Sequence, residues 1–457
     1  MTAEVLSNGS QATDPVSGAP PELVKSVATE TEPDTAMVEP KKEQEEKQQQ
    51  VEEKPRESTT LGSIMEKNSS FREESNFLTD LTESEKKALF ELRSLVETNL
   101  LKPKEGEEGG EVKDMSLWGV PLLPSKCPES NNVILLKFLR AREFKAKDAY
   151  KMLEKTLQWR KESKIDSILE ESSLGKDLGS TFYMSSIDKE GRPVCYNLLG
   201  AFRDEEMYQK AFGSEEKKQE FLRWRIQLME MGIKKLEFGP GKPSSFVQVI
   251  DLKEAPGLSK KEIRIAMKEA VELLQDNYPE FVAKTIFINA PFWYYAFGAL
   301  ISPFLTQRTR SKFVFARPSR VTETLLKYIP VENIPVSYGG LKREGDSEIY
   351  GESTGVQEQV LKANSTESVE IPLPQAGTTL LWDLTVLGWE VNYKEEFVPS
   401  DEGSYTILIQ KERKLCYDEK TVRNSFKNTE PGKVVLTIDN PTYKKKKALY
   451  RYKIKHC

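Results

Sequence analysis

Residues 285–307 read TIFINAPFWYYAFGALISPFLTQ, an uncharged run in a chain of 457 residues of which 30% are charged. A membrane span, a buried core segment and the wall of a lipid pocket are the competing readings. A spanning helix needs about 20 apolar residues to cross roughly 30 Å of hydrocarbon. TIFIN has the short, β-branched character of a strand, Asn289-Ala290-Pro291 interrupts it, and Pro291 suits the first turn of a new helix. From Pro291 to Ser302, ahead of Pro303, a helix would reach only about 18 Å at 1.5 Å per residue. Length argues against a span, although a proline-kinked membrane helix stays open. Composition does not separate core from pocket wall.

Outward from this run the periodicity alternates. FYMSSIDKEGRPVCYNLLG sets an Asp-Lys-Glu-Gly turn between two strand-like stretches, a hairpin or sheet connection. SFVQVIDL (245–252) is apolar and β-branched, the helical pattern EIRIAMKEAVELLQDN follows, and KTIFIN and KFVFA are further short apolar runs. Strands alternating with helices predict an α/β domain with a mainly parallel sheet over 171–345, closing with TETLLKYIPVENIPVSYGGL.

Upstream, LTESEKKALFELRSLVETNL opens with a capping box, Thr82 to Glu85, and spaces Leu89, Leu92 and Val96 along one helical face. Residues 102–114 are too polar and glycine-rich to continue that helix and read as a loop. NNVILLKFLRAREFKAKDAYKMLEKTLQWRKESK supplies two amphipathic helices divided near Phe144, so 76–170 form a helical subdomain.

Charge is uneven. Residues 1–75 carry 8 basic and 16 acidic side chains, and the remainder carry 59 and 56. With no aromatic before Phe71, the acidic leader 1–75 cannot bury enough apolar surface to offset the entropy of ordering, and is expected to be disordered. The N-terminal sequence has no basic segment followed by an apolar one, so nothing suggests secretion. Cys127, Cys195, Cys416 and Cys457 show no CxxC spacing, which fits reduced thiols in the cytosol and argues against a disulfide framework or zinc site. Cys457 at the end leaves no prenylation box and residue 2 is not Gly, so membrane contact is expected from the folded surface.

FLRAREF, DKEGRPV, QDNYPEFVAKTIFINAPFWY and RSKFVF, in that order, resemble a CRAL-TRIO lipid-binding domain with its N-terminal helical extension. The resemblance covers roughly residues 75–345. It implies that the break at INAPF leads into a helical gate over an apolar cavity holding one lipid, with Phe292, Trp293, Tyr295, Phe297, Leu300 and Phe304 as pocket and gate residues. Such a gate would be amphipathic and able to sit in the membrane interface. An apolar, closable pocket answers a physical need, since each CH₂ exposed to water costs roughly 0.8 kcal/mol. The resemblance also implies that Arg142, Glu280, Thr309 and Lys312 match positions of polar headgroup contacts in phosphatidylinositol-binding relatives. Arg and Lys suit phosphate as charged donors, and Thr309 adds a neutral hydrogen bond. Glu280 either accepts from inositol hydroxyls or only orients Lys312, and Arg142 has the rival role of pairing with an acid on the helical subdomain. Cys195 stands where choline-lipid binders tend to have Tyr, and Phe246 where some relatives have a small hydroxyl residue. Glu143 stands where phosphatidylinositol-holding relatives tend to have a second base. An inositol lipid is therefore favoured over phosphatidylcholine.

The last stretch differs. LLWDLTVLGWEVNYKEEFVP, SYTILIQKERKL, KVVLTIDNP and KALYRYKIK are β-rich runs divided by turn residues such as Asp401-Glu402-Gly403 and Pro431-Gly432, which predicts an antiparallel β-sandwich over 365–457 after a linker at 346–364. WDLTVLGWEVNYKEEF and LTIDNP resemble a GOLD domain, and the whole arrangement behind an acidic leader is similar to the plant patellins. Lys444, Lys445, Lys446 and Lys447 form the densest basic run, either a solvated edge or an attraction for anionic lipid. Strand alternation explains the interleaved aromatics of KALYRYKIK better than nucleic-acid binding does.

Catalysis finds little support. His456 is the only histidine, GPGKPS lacks the phosphate-loop spacing, and no GxSxG occurs, so neither an enzyme nor a metal site is expected. Two functions are expected to compete. One is a cytoplasmic, peripherally membrane-associated phospholipid or phosphoinositide-binding protein that transfers or presents its lipid at anionic membranes. By resemblance it serves membrane trafficking such as cell-plate formation in plant cell division. The other is a trafficking adaptor that binds proteins through the GOLD domain and keeps a vestigial or structural pocket. No cofactor beyond a bound lipid is implied, and oligomeric state is not legible.

Overall fold

The computed structural model describes residues 73–101, 115–123, 126–172, 174–256, 260–291, 311–351, 355–388, 390–416 and 421–456. The leader, the loop expected at 102–114, the gate and Thr309 fall outside these, apart from residues 73–75. Among the described residues no helix is long and apolar enough to cross a membrane, and no cluster of potential metal ligands occurs.

Helix α1 (Glu83–Val96) starts where the capping box predicts: the Thr82 hydroxyl accepts from the Glu85 amide at 3.3 Å, and the Glu85 carboxylate accepts from the Thr82 amide at 2.8 Å. Its buried stripe is Ala88, Leu89, Leu92 and Val96. Strands β1 (Ser116–Leu117) and β2 (Val120–Pro121) then form a small antiparallel hairpin whose turn residues Trp118 and Gly119 both have positive φ, 52° and 78°. That conformation matches the right-handed twist of the flanking strands, and glycine adopts it without steric cost. Trp118 fills the space between α2 (Pro128–Ala141) and the turn at Phe281, edge-on to the Phe281 ring at 4.6 Å and stacked on Phe138 at 5.9 Å. Helix α3 (Ala146–Glu162) completes the subdomain.

Five strands form the central sheet in the order β3 (Phe182–Ile187), β4 (Pro193–Leu198), β5 (Phe246–Asp251), β6 (Val282–Ile288), β7 (Phe313–Phe315). β3 and β4 are the antiparallel hairpin expected around Asp188–Gly191, and every later pairing is parallel. Between β4 and β5 come two helices that the pattern reading passed over, α4 (Glu205–Phe212) and α5 (Glu215–Ile233). Their signals were the caps: Asp204 accepts from the Met207 amide and Ser214 from the Lys217 amide. Along α5 burial spreads over Phe221, Leu222, Trp224, Ile226, Gln227 and beyond, so no narrow stripe betrays it. Helix α6 (Lys261–Asn277) follows β5.

Alternation divides the sheet. Tyr196, Val249, Ile286 and Val314 form one face, sealed by α7 (Val321–Tyr328) and the turns carrying Ile334 and Tyr338. Tyr338 stacks on Tyr196 at 5.7 Å and donates to Asp251 at 2.8 Å. The opposite face meets α4, α5 and α6 over its β3–β4 half, where Phe182, Cys195, Phe202, Phe221 and Trp224 share one cluster. Gly232 permits this approach, since a Cβ there would lie 2.3 Å from Met184 Cε.

Two parts of the segment expected as a linker have regular structure. They are helix α8 (Asp346–Tyr350) and strand β8 (Gln357–Leu361), which pairs with β15 (Lys446–Lys455) as a sheet edge. β9 (Ser365–Leu373), β10 (Thr379–Leu387), β11 (Val391–Pro399), β12 (Ile407–Leu415), β13 (Val422–Lys427) and β14 (Gly432–Asn440) complete the sandwich. Its antiparallel sheets run β13-β10-β15-β8 and β12-β11-β14-β9. Trp382, Tyr393 and Phe397 fill the space between them, and Trp382 donates to the buried Glu395 carboxylate at 3.2 Å.

Ionic contacts weld the sandwich to the end of the α/β body. Asp383, fully buried on β10, receives Arg343 at 2.7 Å, Arg423 at 2.6 Å and Arg451 at 2.9 Å. Arg423 and Arg451 also engage Asp346 on α8. Thr385 and Thr421 donate to the carbonyls of Gly339 and Gly340. Burial opposes the Asp383 charge, but Arg423 and Arg451 outweigh it and hold this carboxyl below its ordinary range.

Candidate functional site

Helix α2 is buried on every side from Asn131 to Arg140, yet it carries two cations. Arg140 is committed to the chain's approach: it donates to the Asn76 side chain and the Ser75 carbonyl, both at 2.6 Å, and pairs with Glu74 at 2.8 Å. Lys137 reaches the other way. Its ammonium donates to the Ser244 carbonyl at 2.6 Å and the Glu280 carbonyl at 2.9 Å, and lies 4.3 Å from the centroid of the Phe281 ring. Burial pushes its pKa down to about 7; Glu73 and Glu280 pull it upward, while Arg140 and Lys312 push it further down.

Glu280 has φ 56°, a left-handed conformation that costs a non-glycine residue roughly 1–2 kcal/mol. The carbonyl bond to Lys137 helps hold it there. In this pose the Glu280 carboxylate pairs with Lys312 at 2.8 Å, both side chains largely buried. The pair sits where β6 and β7 begin. Arg142 caps the C-terminus of α2, partly buried, its guanidinium donating to the Ala141 carbonyl at 3.0 Å. Among the described residues no carboxylate pairs with Arg142. No bond among them joins it to Glu280 or Lys312 either; the link between its helix and that pair is Lys137.

The apolar part of the site is the sheet itself. Register places Gln248, Thr285 and Phe313 in one row, and Ile250, Phe287 and Phe315 in the next, on the face that α4–α6 cover only in part. Gln248, Ile250 and the three Phe rings stay partly accessible. The rings form their own cluster, Phe287 stacked on Phe315 at 4.9 Å and edge-on to Phe313 at 5.6 Å. This is an apolar surface bordered by charge, the chemistry that an amphiphile needs.

Three family models match the chain: the CRAL/TRIO N-terminal domain over residues 77–155, the CRAL/TRIO domain over 178–340 and the Patellin-1-like C-terminal GOLD domain over 362–446. Patellin-4 of Arabidopsis thaliana is 57% identical over 351 residues, which cover 77% of this chain and 64% of that protein. Patellin-3 of the same plant is 50% identical over 389 residues, 84% of this chain and 78% of that protein. The chain belongs to the patellin family. A CRAL-TRIO body with a helical extension, followed by a GOLD β-sandwich, is therefore the architecture of this patellin. Outside the patellins, the phosphatidylinositol transfer protein sfh5 of Aspergillus oryzae is 30% identical over 240 residues, 49% of this chain and 50% of that protein.

Of the positions singled out in this patellin's sequence, Glu280 and Lys312 come together and Arg142 stands apart. Phe292, Trp293, Tyr295, Phe297, Leu300, Phe304 and Thr309 lie outside the described residues. The basic run does not form one patch. β15 begins at Lys446, and alternation turns that residue inward, buried, with its ammonium on the Glu390 carbonyl at 3.0 Å. Lys447 pairs with Glu358 at 2.8 Å. Lys444 and Lys445 remain exposed, Lys444 beside the Tyr443 ring. Lys137 escaped notice, although a Lys inside the apolar run VILLKFL signals a buried cation with a task.

Proposed function

We propose that the chain binds one phospholipid of the phosphatidylinositol or phosphoinositide class and transfers or presents it at anionic membranes, without catalysing a reaction. The reading extends to a peripheral, cytoplasmic role in membrane trafficking, such as membrane delivery during plant cell division. The observation that carries it is the Glu280–Lys312 pair, held by Lys137 at the start of β6 and β7, beside an incompletely covered apolar face. The Lys312 ammonium suits a lipid phosphate, Glu280 can accept from ring hydroxyls, and the Phe cluster suits acyl chains. The Aspergillus relative, a phosphatidylinositol transfer protein by name, points to the same lipid class.

Mass spectrometry of lipid extracted from the purified full chain, with a vesicle-to-vesicle phosphatidylinositol transfer assay, tests this. Stoichiometric inositol lipid is expected, together with loss of most transfer in Lys312→Ala. Absence of stoichiometric lipid and unchanged transfer in Lys312→Ala would overturn it.

The adaptor reading has one observation of its own. Edge strand β12 exposes Ile407 and Leu408, and Tyr405 just before it is 92% exposed. An edge of this kind invites strand pairing with a partner. Deleting residues 365–457 would then abolish partner capture while leaving lipid binding intact.

A further inference from the structure

Arg225 lies on α5 two turns before Gly232, and so on the helix face that meets the sheet. Its guanidinium stands over the Phe182 ring at 4.1 Å, and Nη2 donates to Asn197 Oδ1 at 3.1 Å. Nε and Nη1 are fully buried and have no hydrogen-bond partner, and among the described residues no carboxylate pairs with Arg225. Burial pulls its pKa below the ordinary arginine value, with only the Cys195 thiol acting the other way. The residue is not sealed in, since part of its surface stays accessible.

A buried guanidinium with two idle donors is costly, and native structures rarely keep one without a use. Its surroundings are arranged rather than accidental. Asn197 is held by its own amide on the Val249 carbonyl at 3.3 Å, so its oxygen is fixed toward Arg225. Gln248, level with Cys195 on the neighbouring strand, is a partly accessible residue whose side chain has no hydrogen-bond partner among the described residues. These polar groups share the sheet face that carries Ile250, Phe287 and Phe315.

We propose that Arg225, oriented by Asn197, is a second polar subsite on this face that takes the oxyanion of an acidic amphiphile, a fatty carboxylate or a lipid phosphate. It is separate from the Glu280–Lys312 pair, because β4 lies two strand spacings from β6 and three from β7, about 10 Å and about 14 Å at about 4.8 Å each. The inference rests on the reading of this face as a ligand surface. An Arg fork binds carboxylate or phosphate in two-point fashion, and low polarity strengthens that contact. The subsite selects acidic over neutral amphiphiles, which the first pair by itself does not require.

The test uses the delipidated full chain, with cis-parinaric acid and its methyl ester as fluorescent probes. Arg225→Met is expected to weaken binding of the acid about tenfold or more while holding the ester within about twofold. Arg225→Lys, which keeps charge and loses the fork, is expected to fall between. Displacement of the ester by phosphatidic acid or by diacylglycerol of the same chains separates the two sources. A lipid phosphate predicts that Arg225→Met impairs phosphatidic acid alone; a fatty carboxylate predicts no change in either displacement. The melting temperature of Arg225→Met is expected to be no lower than that of the parent, because an unpaired buried charge has gone. Equal effects of Arg225→Met on acid and ester, or none on either, overturn this inference and leave the lipid-binding reading standing. Failure of the parent chain to bind either probe overturns both.

Discussion

Lys137 is the residue on which the candidate site turns, and its chemistry makes a measurable demand. The folded chain lowers its pKa to about 7 from an ordinary 10.5, so the unfolded chain binds more protons between those values. Stability should therefore rise as pH increases from about 7 toward 10, with the cost of the buried charge fully present below that window. Urea denaturation at pH 6.5 and pH 9 is expected to show the rise, and Lys137→Met to flatten it. A parent chain with equal stability at the two values would refute this. The same variant also frees the Glu280 carbonyl, so Lys312-dependent transfer should fall although Lys137 touches no lipid in the proposed arrangement.

Among the elements, α1 was legible to the residue because its cap and its stripe speak together. Thr82→Ala removes the hydroxyl half of the capping box and is expected to cost about 1 kcal/mol, read as a lowered urea midpoint at constant m-value. The β-runs were legible for a similar reason: period-2 alternation and β-branched residues mark SFVQVIDL and KTIFIN directly. Helix α5 was not, since its burial wraps most of the circumference and its polar residues Gln227 and Glu230 are inside too. Glu230 is satisfied there by Arg160 at 2.5 Å and the Tyr278 hydroxyl at 2.6 Å, partners 70 and 48 residues away that no local pattern exposes.

Across the whole molecule, the two bodies are joined through buried charge. Removing Asp383 takes a shared buried carboxylate from three guanidinium groups and leaves Arg423 and Arg451 with Asp346 alone, and Asp383→Ala is expected to destabilise by about 3–5 kcal/mol, with the β-sandwich and the α/β body melting in separate calorimetric transitions. A single transition at the parent temperature would refute the coupling. Because the folded chain depresses the Asp383 pKa, its contribution is present above about pH 4 and lost as pH falls through the lowered value. Acid titration of the parent should show that loss, and Asp383→Asn should lack it.

The sequence by itself determined the order and class of the elements, the boundary signals of α1 and the family, because these rest on short-range periodicity, cap chemistry and contiguous motifs. It named Glu280 and Lys312 as polar positions but left open whether they meet. Only the tertiary structure decided that pairing, turned Lys446 inward, made α8 and β8 part of the fold instead of a linker, and left Arg225 without a counter-charge among the described residues. Each of these depends on which distant groups share a low-polarity space, and there the cost of an unpaired charge, invisible in a linear pattern, sets the outcome.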